Sequence, residues 1–458
     1  MKQDLREQTK EYIIQQKLLS YGDSVLAAVS GGADSVCMLD LLVSLKDEWN
    51  LKIFVAHVNH QLREVEADRD ELFVRELSKA YHLPFFVSKI DVYKLSKEKK
   101  CSVEEAGRIA RYDFFQKIKN EKHITHIATA HNKNDNVETV CMRFMRGTSI
   151  HGLSGIPAQN EAGVIRPLLH ATRKEIENYI CEKKLSHVTD STNFKNSYTR
   201  NKIRNVLIPC ICREFNENFI DTLSKNIENF REAGIFIDKF TRSIYRESVV
   251  SEDYGASVSI KHILNADTII AKHLIRLVLK DFFHVSVTNE IIQKIYDMCL
   301  ENKKNTLCVN KGLDVHILYQ KIHFVQSESV NKMTYTIEIS YEQNERKDKS
   351  KQVLYLPSSI DISLLSVRNR CDGDIMYLGK CGHKKIKDIL IDEKTPFFLR
   401  DTIPVVLYKN EIIWLCGLRD NPMYRAKPEE KYIKLTYKKE KNHASGRERI
   451  VVQQGNYR

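Results

Sequence analysis

The strongest chemical signal in the sequence is Ser-Gly-Gly-Ala-Asp-Ser, at positions 30–35. The apolar run Ser24–Ser30 predicts a buried strand, and the apolar spacing that follows predicts a helix over Asp34–Leu45. Glycine lets a backbone turn sharply and approach a ligand closely. The N–H groups at the start of a helix have no partner within the helix and carry partial positive charge. These residues therefore predict a loop that binds phosphate.

This loop differs from two well-known nucleotide-binding loops. The chain contains no Gly-x-x-x-x-Gly-Lys-Ser/Thr sequence, which excludes a Walker A loop, and the loop is not Gly-x-Gly-x-x-Gly. The alternative interpretation is a plain strand-to-helix turn in which Asp34 or Ser35 is the N-cap of the helix. Loop chemistry alone leaves this alternative open.

Strands and helices alternate through the first 200 or so residues, and they would position the loop. Besides Ser24–Ser30, the predicted strands are Lys52–Val58, Pro84–Ile90 and His126–Ala130. Besides Asp34–Leu45, the predicted helices are Glu66–Tyr81, Ser102–Ile118 and Asn134–Met145. This alternation predicts an α/β fold with a doubly wound parallel sheet. Ligands of such sheets bind at the carboxyl ends of strands, near a topological switch point.

The rest of the chain has a different character. Residues from about 201 to 246 are helical in pattern and include a long connecting helix, whereas residues from about 355 to 437 form short β-rich segments. A polar, charged segment at 329–352 looks like a domain boundary. We therefore predict a catalytic domain at 1–215, a mainly helical middle domain at 216–345, a small α+β domain at 346–440 and a polar tail at 441–458.

Composition and charge narrow the class of protein. The 458 residues carry a formal charge of +12. This charge is compatible with a polyanionic partner, nucleic acid first, and equally with an ordinary basic protein that has no such partner, so charge alone does not decide between them. The 11 cysteines include no Cys-x-x-Cys, which excludes zinc-ribbon and thioredoxin-like spacings and fits a reducing compartment. No signal peptide or membrane-spanning apolar segment is apparent, so we expect a cytoplasmic protein without a membrane partner.

Several motifs together resemble a known family. The loop at 30–35 looks like the Ser-Gly-Gly-x-Asp-Ser pyrophosphate loop of the N-type ATP pyrophosphatases, the PP-loop superfamily. Within that superfamily, the following segments resemble the N-terminal motifs of tRNA(Ile)-lysidine synthetases: His57–Glu64, Glu104–Phe115, Ala128–Val140, Arg146–Ile156, Ile165–Leu169 and Asp190–Arg204. Gly373–Val406 resembles the C-terminal domain of the long bacterial members. The resemblance therefore covers most of the chain and implies a sheet like that of adenine nucleotide alpha hydrolases.

Three positions depart from the family pattern. Asn132 stands where the family has a second histidine, Asn136 where it has glutamine, and Ser149 where it has glycine. His131, Asp135 and Glu138 are retained. The departures keep open a non-catalytic RNA-binding relative, although the intact loop argues against it.

The resemblance implies an AMP-forming carbon–nitrogen ligase. It would adenylate C2–O of the wobble cytidine in the CAU anticodon of tRNA(Ile), and free L-lysine would then displace AMP to give lysidine. This change converts AUG reading to AUA reading and methionine identity to isoleucine identity. The implied substrates and partners are ATP, free lysine and tRNA(Ile), with a possible homodimer. Pyrophosphate release calls for Mg²⁺, which prefers oxygen ligands.

The same resemblance assigns the site residues. ATP would be bound by Ser30, Gly31, Gly32, Ala33, Asp34, Ser35 and His57. Asp34, Arg108, Asp135 and Glu138 would be catalytic, with Asp34 and Asp135 as candidate Mg²⁺ ligands and Glu138 as a candidate for lysine binding. The tRNA would be bound by Arg200, Lys202, Arg204, Lys380, Lys384, Lys385, Lys387 and Arg400. The C-terminal lysines would grip the acceptor end of the tRNA.

Each assignment has a structural alternative. Asp34 and Asp135 can be helix-start acids that favour the helix dipole. Spacing alone favours Arg108 as a solvated partner of Glu104 or Glu105, and the resemblance reverses that preference. His57 and His60 can line a pocket or merely cap a strand. Charge runs such as the C-terminal lysines are usually solvated.

Two other enzyme classes share the ATP loop. A tRNA thiolase usually carries paired cysteines, which this chain lacks. An amidotransferase such as a GMP or asparagine synthetase needs ammonia, and position 2 is Lys2 rather than a nucleophilic cysteine. The thiolase is the nearest rival.

Overall fold

The computed structural model describes residues 4–61, 64–188, 199–331, 333–342, 350–427, 430–440 and 449–452. The chain forms two compact units, residues 1–236 and 237–458. Parts of two predicted motifs lie outside the described residues: Leu62 and Arg63 of the segment His57–Glu64, and residues 190–198 of the segment Asp190–Arg204. None of the described helices is long and apolar enough to cross a membrane.

The first unit contains five strands and the helices that flank them. The strands are β1 (Ser24–Ala28), β2 (Lys52–Asn59), β3 (Phe85–Lys89), β4 (His126–Ala128) and β5 (Val164–Ile165). The helices are α1 (Leu5–Gln15), α2 (Ala33–Ser44), α3 (Glu64–Ala80), α4 (Val92–Lys99), α5 (Val103–Glu121), α6 (Lys133–Met145), α7 (Ile150–Leu153), α8 (Arg173–Glu182), α9 (Thr199–Lys202), α10 (Ile208–Glu214) and α11 (Phe219–Ser248). A π-helix, Ile203–Leu207, joins α9 to α10, and α11 contains the division between the units.

The five strands form one parallel sheet in the order β3-β2-β1-β4-β5. The chain adds β2 and β3 on one side of β1, and then returns to add β4 and β5 on the other side. The carboxyl ends of β1 and β4 are therefore the topological switch point, where ligands of such sheets bind. The predicted doubly wound fold is confirmed.

Alternating side chains of β1 explain why both faces of this sheet are covered. Val25 and Ala27 pack into a core with α1, α2 and α8, whereas Leu26 packs with Phe115 and Ile118 of α5. Successive residues of a strand point to opposite faces, so a nearly continuous apolar run is what a doubly covered strand needs. This two-sided core fixes the switch-point ends of β1 and β4.

The second unit is built from antiparallel sheets and a few helices. Its strands are β6 (Val249–Glu252), β7 (Gly255–Ser259), β8 (Asn305–Asn310), β9 (Leu313–Leu318), β10 (Lys321–Gln326), β11 (Thr334–Glu342), β12 (Val353–Pro357), β13 (Leu365–Asn369), β14 (Ile375–Tyr377), β15 (His383–Lys385), β16 (Pro404–Tyr408), β17 (Glu411–Leu415), β18 (Arg419–Asp420), β19 (Tyr432–Glu440) and β20 (Arg449–Val452). Its helices after α11 are α12 (Ile260–Leu264), α13 (Thr268–Phe283), α14 (Asn289–Glu301), α15 (Ser327–Asn331) and α16 (Ile386–Asp392).

These elements form separate layers with their own cores. Helices α12, α13 and α14 pack against the sheet β6-β7-β10-β9-β8, whereas α16 packs beside the sheet β13-β16-β17-β18. A third sheet, β12-β19-β11-β20, shares a core that contains Trp414. The predicted helical middle and β-rich C-terminal region are both confirmed.

Two details differ from what the sequence indicated. The polar segment at 329–352 is not wholly a boundary, because it contains β11, which pairs with β19 along nine residues. Within the predicted tail, Arg449–Val452 forms β20 and pairs with β11, while the other residues from 441 onwards lie outside the described residues. The domain limits at 215, 345 and 440 stay predictions.

Candidate active site

The glycine loop lies between β1 and α2, at the carboxyl end of the central strand. Gly32 is the N-cap of α2, with φ −73° and ψ 162°, so the alternative in which Asp34 or Ser35 caps the helix is wrong. Gly31 has φ +97°, a conformation that side chains disfavour, and an added Cβ would lie 3.3 Å from Val188 Cγ2. The left-handed backbone at position 31 therefore favours glycine, and an added Cβ would also require Val188 to shift slightly.

The hydroxyl group of Ser35 holds the loop closed. It accepts hydrogen bonds from the backbone N–H groups of Ser30 and Gly31, each at 3.2 Å, and donates to the carbonyl of Gly32 at 2.9 Å. The N–H groups of Ser35 and Val36 donate to the carbonyl of the N-cap residue Gly32, each at 3.0 Å, whereas the first N–H groups of a helix, here those of Ala33 and Asp34, have no acceptor within it. The loop is thus fixed by one buried serine, while the start of α2 presents donors to an anion.

Asp34 and Asp135 start the helices that follow β1 and β4, so they flank the switch point. Burial raises the pKa of Asp34, and the negative charge of Asp135 raises it further. Arg173, the Asn132 side chain and Arg204 act in the opposite direction. The two carboxyl groups therefore interact electrostatically, and their assignment as Mg²⁺ ligands stays a prediction.

Asp135 also completes the N-terminal cap of α6. Asn132 Oδ1 accepts a hydrogen bond from the Asp135 N–H at 3.0 Å, and Asp135 Oδ2 accepts one from the Asn132 N–H at 3.2 Å. This reciprocal pair is a capping box. Asparagine is among the best N-cap residues, so the departure from histidine at position 132 has a structural role.

The other two departures also have defined places. Asn136 Oδ1 accepts a hydrogen bond from the backbone N–H of Ile156 at 2.7 Å. Asn136 occupies the space beside Gly155, whose φ is +67° and where an added Cβ would lie 2.2 Å from Asn136 Oδ1. Ser149 is the N-cap of the short helix α7. The three departures therefore have defined places in the fold, and the loop sequence at 30–35 is intact, so these positions do not favour a degenerate site.

Three arginines surround the carboxylates of α6. Arg204 bonds Glu138 Oε1 at 2.6 Å, Glu138 Oε2 at 2.9 Å and Asp135 Oδ1 at 2.9 Å. Arg200 Nε bonds Glu138 Oε2 at 3.0 Å, and Arg173 Nη2 lies 3.8 Å from Asp135 Oδ1. Burial disfavours the charge of Arg204, but its bonds to Glu138 and the nearby acids outweigh this, and the pKa of Arg204 is raised.

This arrangement changes how three predicted residues are interpreted. Glu138 is 1% exposed and both its oxygens already accept hydrogen bonds from arginines. Arg200 and Arg204, predicted to bind tRNA, direct their guanidinium groups at acids of the site. Lys202, between them in the sequence, is exposed. Of the three basic residues predicted to bind tRNA here, Lys202 faces solvent, whereas Arg200 and Arg204 face the acids of the site.

The histidines that follow β2 are held by the fold. His57 is buried, and its Nδ1 donates to the Val29 carbonyl at 2.9 Å, which fixes the strand just before the glycine loop. Burial lowers the pKa of His57. His60 lies beside Gly107 of α5, and burial lowers its pKa to about 4. Both histidines are therefore neutral near pH 7.

The two arginines of α5 differ in their surroundings. Arg108 makes a bidentate pair with Glu105, at 2.9 and 2.7 Å, and its side chain is 58% exposed. This is the surface pair that spacing alone favours. Arg111 is also exposed, its Nε donates to the Gly107 carbonyl at 3.4 Å, and its charge adds to the effect of burial in lowering the pKa values of His60 and His131.

Two site residues escaped the sequence analysis. Arg173 lies in the first turn of α8, where a positive charge interacts unfavourably with the helix dipole. This unfavourable position could have indicated that Arg173 has a role in the site. Arg166 follows β5, is 6% exposed and donates to the Pro157 carbonyl at 2.7 Å. It belongs to the quoted segment Ile165–Leu169, but nothing in that segment indicated that its charge is buried.

The C-terminal basic residues fall into two groups. Lys380, Lys385 and Lys387 are exposed. Lys384 instead pairs with Asp392. Arg400 bonds the Thr395 carbonyl at 3.0 Å and the Tyr319 hydroxyl at 2.9 Å. Among the described residues, no ion pair engages Lys380, Lys385 or Lys387, whereas Lys384 and Arg400 have partners within the protein.

Comparison with known proteins identifies the family. The PP-loop domain family matches residues 1–211, and the TilS substrate C-terminal domain family matches residues 365–437. The tRNA(Ile)-lysidine synthase of Clostridium tetani is 35% identical over 440 residues, covering 91% of this chain and 94% of that relative. This chain belongs to the tRNA(Ile)-lysidine synthase family.

A second relative agrees with this family. The tRNA(Ile)-lysidine synthase of Clostridium acetobutylicum is 32% identical over 439 residues, covering 90% of this chain and 95% of the relative. A crystal structure of a TilS C-terminal domain is 29% identical and covers 24% of this chain and 88% of that one, with a TM-score of 0.21. Full-length relatives of the lysidine synthase family thus span both units, and the resemblance inferred from motifs is confirmed.

Proposed function

We propose that this chain joins free L-lysine to C2 of the wobble cytidine in the CAU anticodon of tRNA(Ile), using ATP. The observation that carries the proposal is the glycine loop fixed by Ser35 at the switch point, with Asp34 and Asp135 beside it. Full-length relatives carry the tRNA(Ile)-lysidine synthase name. That similarity favours lysidine formation over the thiolase alternative.

The reaction has two steps, adenylation of the cytidine and displacement of AMP by lysine. The cytidine O2 attacks the α-phosphorus of ATP, the bond to the β-phosphate oxygen breaks, and pyrophosphate leaves. A lysine amine then attacks C2, the C2–O bond breaks with AMP as leaving group, and the amine loses a proton. A carbonyl oxygen is a poor leaving group. Transfer of AMP from ATP converts it into a good one, which is why the reaction needs ATP.

The loop and the arginines would stabilise the charge of the first step. The start of α2 directs N–H groups outward, where they would meet the leaving phosphates. Preorganised donors of this kind act without reorganising during the reaction. Arg173 and Arg200 lie within 4 Å of Asp135 and would add positive charge next to the phosphates. Arg111 of α5, whose charge acts on His131, would add to that positive charge. We assign the phosphate role of α5 to Arg111 rather than to Arg108.

The residues present fit Mg²⁺ bound jointly with ATP. The described residues contain no group of three His, Cys, Asp or Glu side chains that could hold a metal alone. Mg²⁺ commonly uses one or two carboxylates together with substrate phosphates. Asp34, whose pKa is raised by burial and by Asp135, offers a carboxylate that a cation would stabilise. Bound there with Asp135, Mg²⁺ would neutralise developing phosphate charge.

Glu138 would act indirectly. Because both its oxygens are engaged by Arg200 and Arg204, a role in holding lysine would require one arginine to move. We therefore propose that Glu138 positions these arginines at the site. The exposed Lys202, Lys380, Lys385 and Lys387 would contact the tRNA backbone, since phosphate contacts position a nucleic acid. A homodimer and a cytoplasmic location complete the proposal.

The decisive experiment measures incorporation of labelled lysine into purified tRNA(Ile) with a CAU anticodon, with ATP and Mg²⁺. Initiator tRNA(Met), which has the same anticodon, is the matched control RNA. Labelling of tRNA(Ile) alone supports the proposal. Pyrophosphate release without labelling would point to another nucleophile, and the absence of both would favour a non-catalytic RNA binder.

A further inference from the structure

Asp40 is the one charged residue at positions 36–43, an otherwise apolar stretch of α2. Its carboxylate accepts two hydrogen bonds, from the Tyr81 hydroxyl at 2.6 Å and from the Tyr179 hydroxyl at 2.7 Å. Tyr81 directly follows α3, and Tyr179 lies in α8. Aspartate is a poor helix former, so its place inside α2 is explained by these bonds to other elements rather than by the helix itself.

Burial keeps both hydroxyl groups as donors to Asp40. Tyr179 is 3% exposed, and Asp40 and Tyr81 are half-buried. Burial, and after it the bond to Asp40, raises the pKa of each tyrosine, so both tyrosines keep their protons. Hydrogen bonds to an ionised oxygen are the strong, short ones, at about 2.5–2.7 Å between oxygens. They are also directional, whereas the apolar contacts between α2 and α8 tolerate small shifts.

Helix α8 brings Arg173 to the acids of the site. Arg173 Nη2 lies 3.8 Å from Asp135 Oδ1. Burial raises the pKa of Asp34, and the charge of Arg173 acts in the opposite direction, so this arginine acts on both acids. The use of that charge during adenylation depends on where α8 lies relative to α2 and α6.

Hydrogen bonds tie α8 to both helices that carry the acids. At the start of α8, the Arg173 N–H donates to Asn134 Oδ1 of α6 at 3.0 Å. Six residues further on, Tyr179 bonds Asp40, which itself lies six residues beyond Asp34 in α2. Six residues of helix span about 9 Å, so α8 is held at two separated points. With the first attachment alone, the helix could pivot over its apolar neighbours.

We propose that Asp40, through Tyr179, is a positioning residue for Arg173 in the adenylation step. Asp40 lies more than one helical turn from Asp34, so it acts by holding α8 rather than by contacting ATP. This inference rests on the proposed function. Because Arg173 would meet charge that develops in the transition state, the loss of its position should lower kcat and leave the KM for ATP nearly unchanged.

The test compares two variants of the full-length protein that each remove one hydroxyl group from the same carboxylate. Tyr179→Phe breaks the bond between α2 and α8, whereas Tyr81→Phe, the matched control, leaves that bond intact. With tRNA(Ile), ATP, lysine and Mg²⁺, Tyr179→Phe should lower kcat for pyrophosphate release by about tenfold. This is less than the roughly 100-fold that a 1 Å misplacement can cost, because the packing of α8 remains. Tyr81→Phe should keep kcat within about twofold of wild type, and both variants should keep the KM for ATP within about twofold.

Combination with Arg173→Met shows whether the effect passes through the arginine. In that background Tyr179→Phe should cause no further loss of kcat, because the group that it positions is already gone. A full additional loss would overturn the proposal, since Tyr179 would then act on the rate by another route.

Urea unfolding separates positioning from a general loss of stability. Each Phe variant removes one bond to Asp40, so similar urea midpoints together with unequal kcat values would support the positioning role. Equal kcat values for the two Phe variants, in an active wild-type background, would overturn the positioning role alone. A wild-type protein that releases no pyrophosphate would instead overturn the proposed function and this inference with it.

Discussion

Arg204→Met should destabilise the first unit through the charge it leaves behind. Arg204 contacts both oxygens of Glu138 and one oxygen of Asp135, at 2.6 to 2.9 Å. Glu138 is 1% exposed, so water cannot replace the lost donors without rearrangement of α6 or its neighbours. Methionine preserves much of the side-chain volume and removes the charge. The variant therefore isolates electrostatics from packing.

The magnitude follows from this geometry. Charge centres about 4 Å apart interact by about 4 kcal/mol at the effective dielectric constant of about 20 that suits protein sites. Removing one partner of a buried pair typically costs about 3–5 kcal/mol. Arg200 still bonds Glu138 at 3.0 Å and compensates in part. We therefore expect a loss of about 3 kcal/mol in the free energy of unfolding, the lower end of that range.

The assay must report on the first unit alone. The chain has two tryptophans, Trp49 in the first unit and Trp414 in the second. Trp49 packs against the main core of the first unit, so in a Trp414→Phe background its fluorescence follows urea unfolding of that unit. Arg213→Met is the matched control, because Arg213 is 74% exposed and pairs only with its neighbour Glu214 among described partners. Its cost should stay within about 0.5 kcal/mol.

A second substitution tests the cause. Adding Glu138→Gln to Arg204→Met removes the uncompensated charge and leaves an amide that still accepts a hydrogen bond from Arg200. The double variant should therefore be more stable than Arg204→Met alone. Equal costs for Arg204→Met and Arg213→Met would refute the reasoning, because they would mean that Glu138 does not depend on Arg204.

Three further predictions follow from the loop and its surroundings. Gly31→Ala should cost about 1–3 kcal/mol because of its left-handed backbone, whereas Gly32→Ala, with φ −73° and its nearest contact at 3.7 Å, should change urea stability far less; equal costs would contradict this. Asn132→Ala should cost about 1 kcal/mol through loss of the N-cap, and Asn132→Ser should restore most of it, as measured by urea unfolding; a neutral alanine variant would exclude the capping role. The affinity for ATP in the presence of Mg²⁺ should fall as the pH is lowered and Asp34 takes up a proton, and the pH midpoint of this fall should lie above 3.8, the ordinary pKa of aspartate. A midpoint at or below 3.8 in ATP binding measured against pH would count against Asp34 as the cation ligand.

The fold could be predicted because its signals are local. The strands β1, β2 and β4 are short apolar runs, and α5 follows directly on Ser102, the first residue of the predicted helix, whose hydroxyl caps it by accepting from the Glu105 N–H at 3.2 Å. β11 was missed although its apolar residues alternate. The charged residues that flank it obscured that period of two, and Tyr335 and Ile337 are buried by residues distant in the sequence, such as Trp414 and Tyr437.

The arginine cluster could not be predicted in the same way. Arg204 meets Asp135 and Glu138 across 69 and 66 residues of sequence, and no local spacing encodes such a contact. Arg108 illustrates the converse, because its i, i+3 spacing to Glu105 correctly indicated a surface pair before the resemblance reversed the interpretation. Local rules therefore located the acids and the loop, while only the fold shows which cations accompany them.

The surrounding cations distinguish Asp135 from Asp34, although the sequence gives both carboxylates the same role as candidate Mg²⁺ ligands. Asp135 receives hydrogen bonds from Arg204 and the Asn132 N–H, so removal of its charge by Asp135→Asn should destabilise the first unit. Burial and Asp135 raise the pKa of Asp34, which means that its ionised form costs stability in the folded state above that raised pKa. Asp34→Asn should therefore stabilise the unit at pH 7, and this gain should shrink as the pH falls below the raised pKa and vanish below the ordinary value of 3.8. It should also abolish pyrophosphate release, because burial and the nearby Asp135 disfavour the charge of Asp34 and a bound cation would stabilise it. Urea unfolding of both variants at pH 7 decides the matter: if Asp34→Asn lost as much stability as Asp135→Asn, the two acids would be structural equivalents and the assignment of Asp34 as the primary cation ligand would fail.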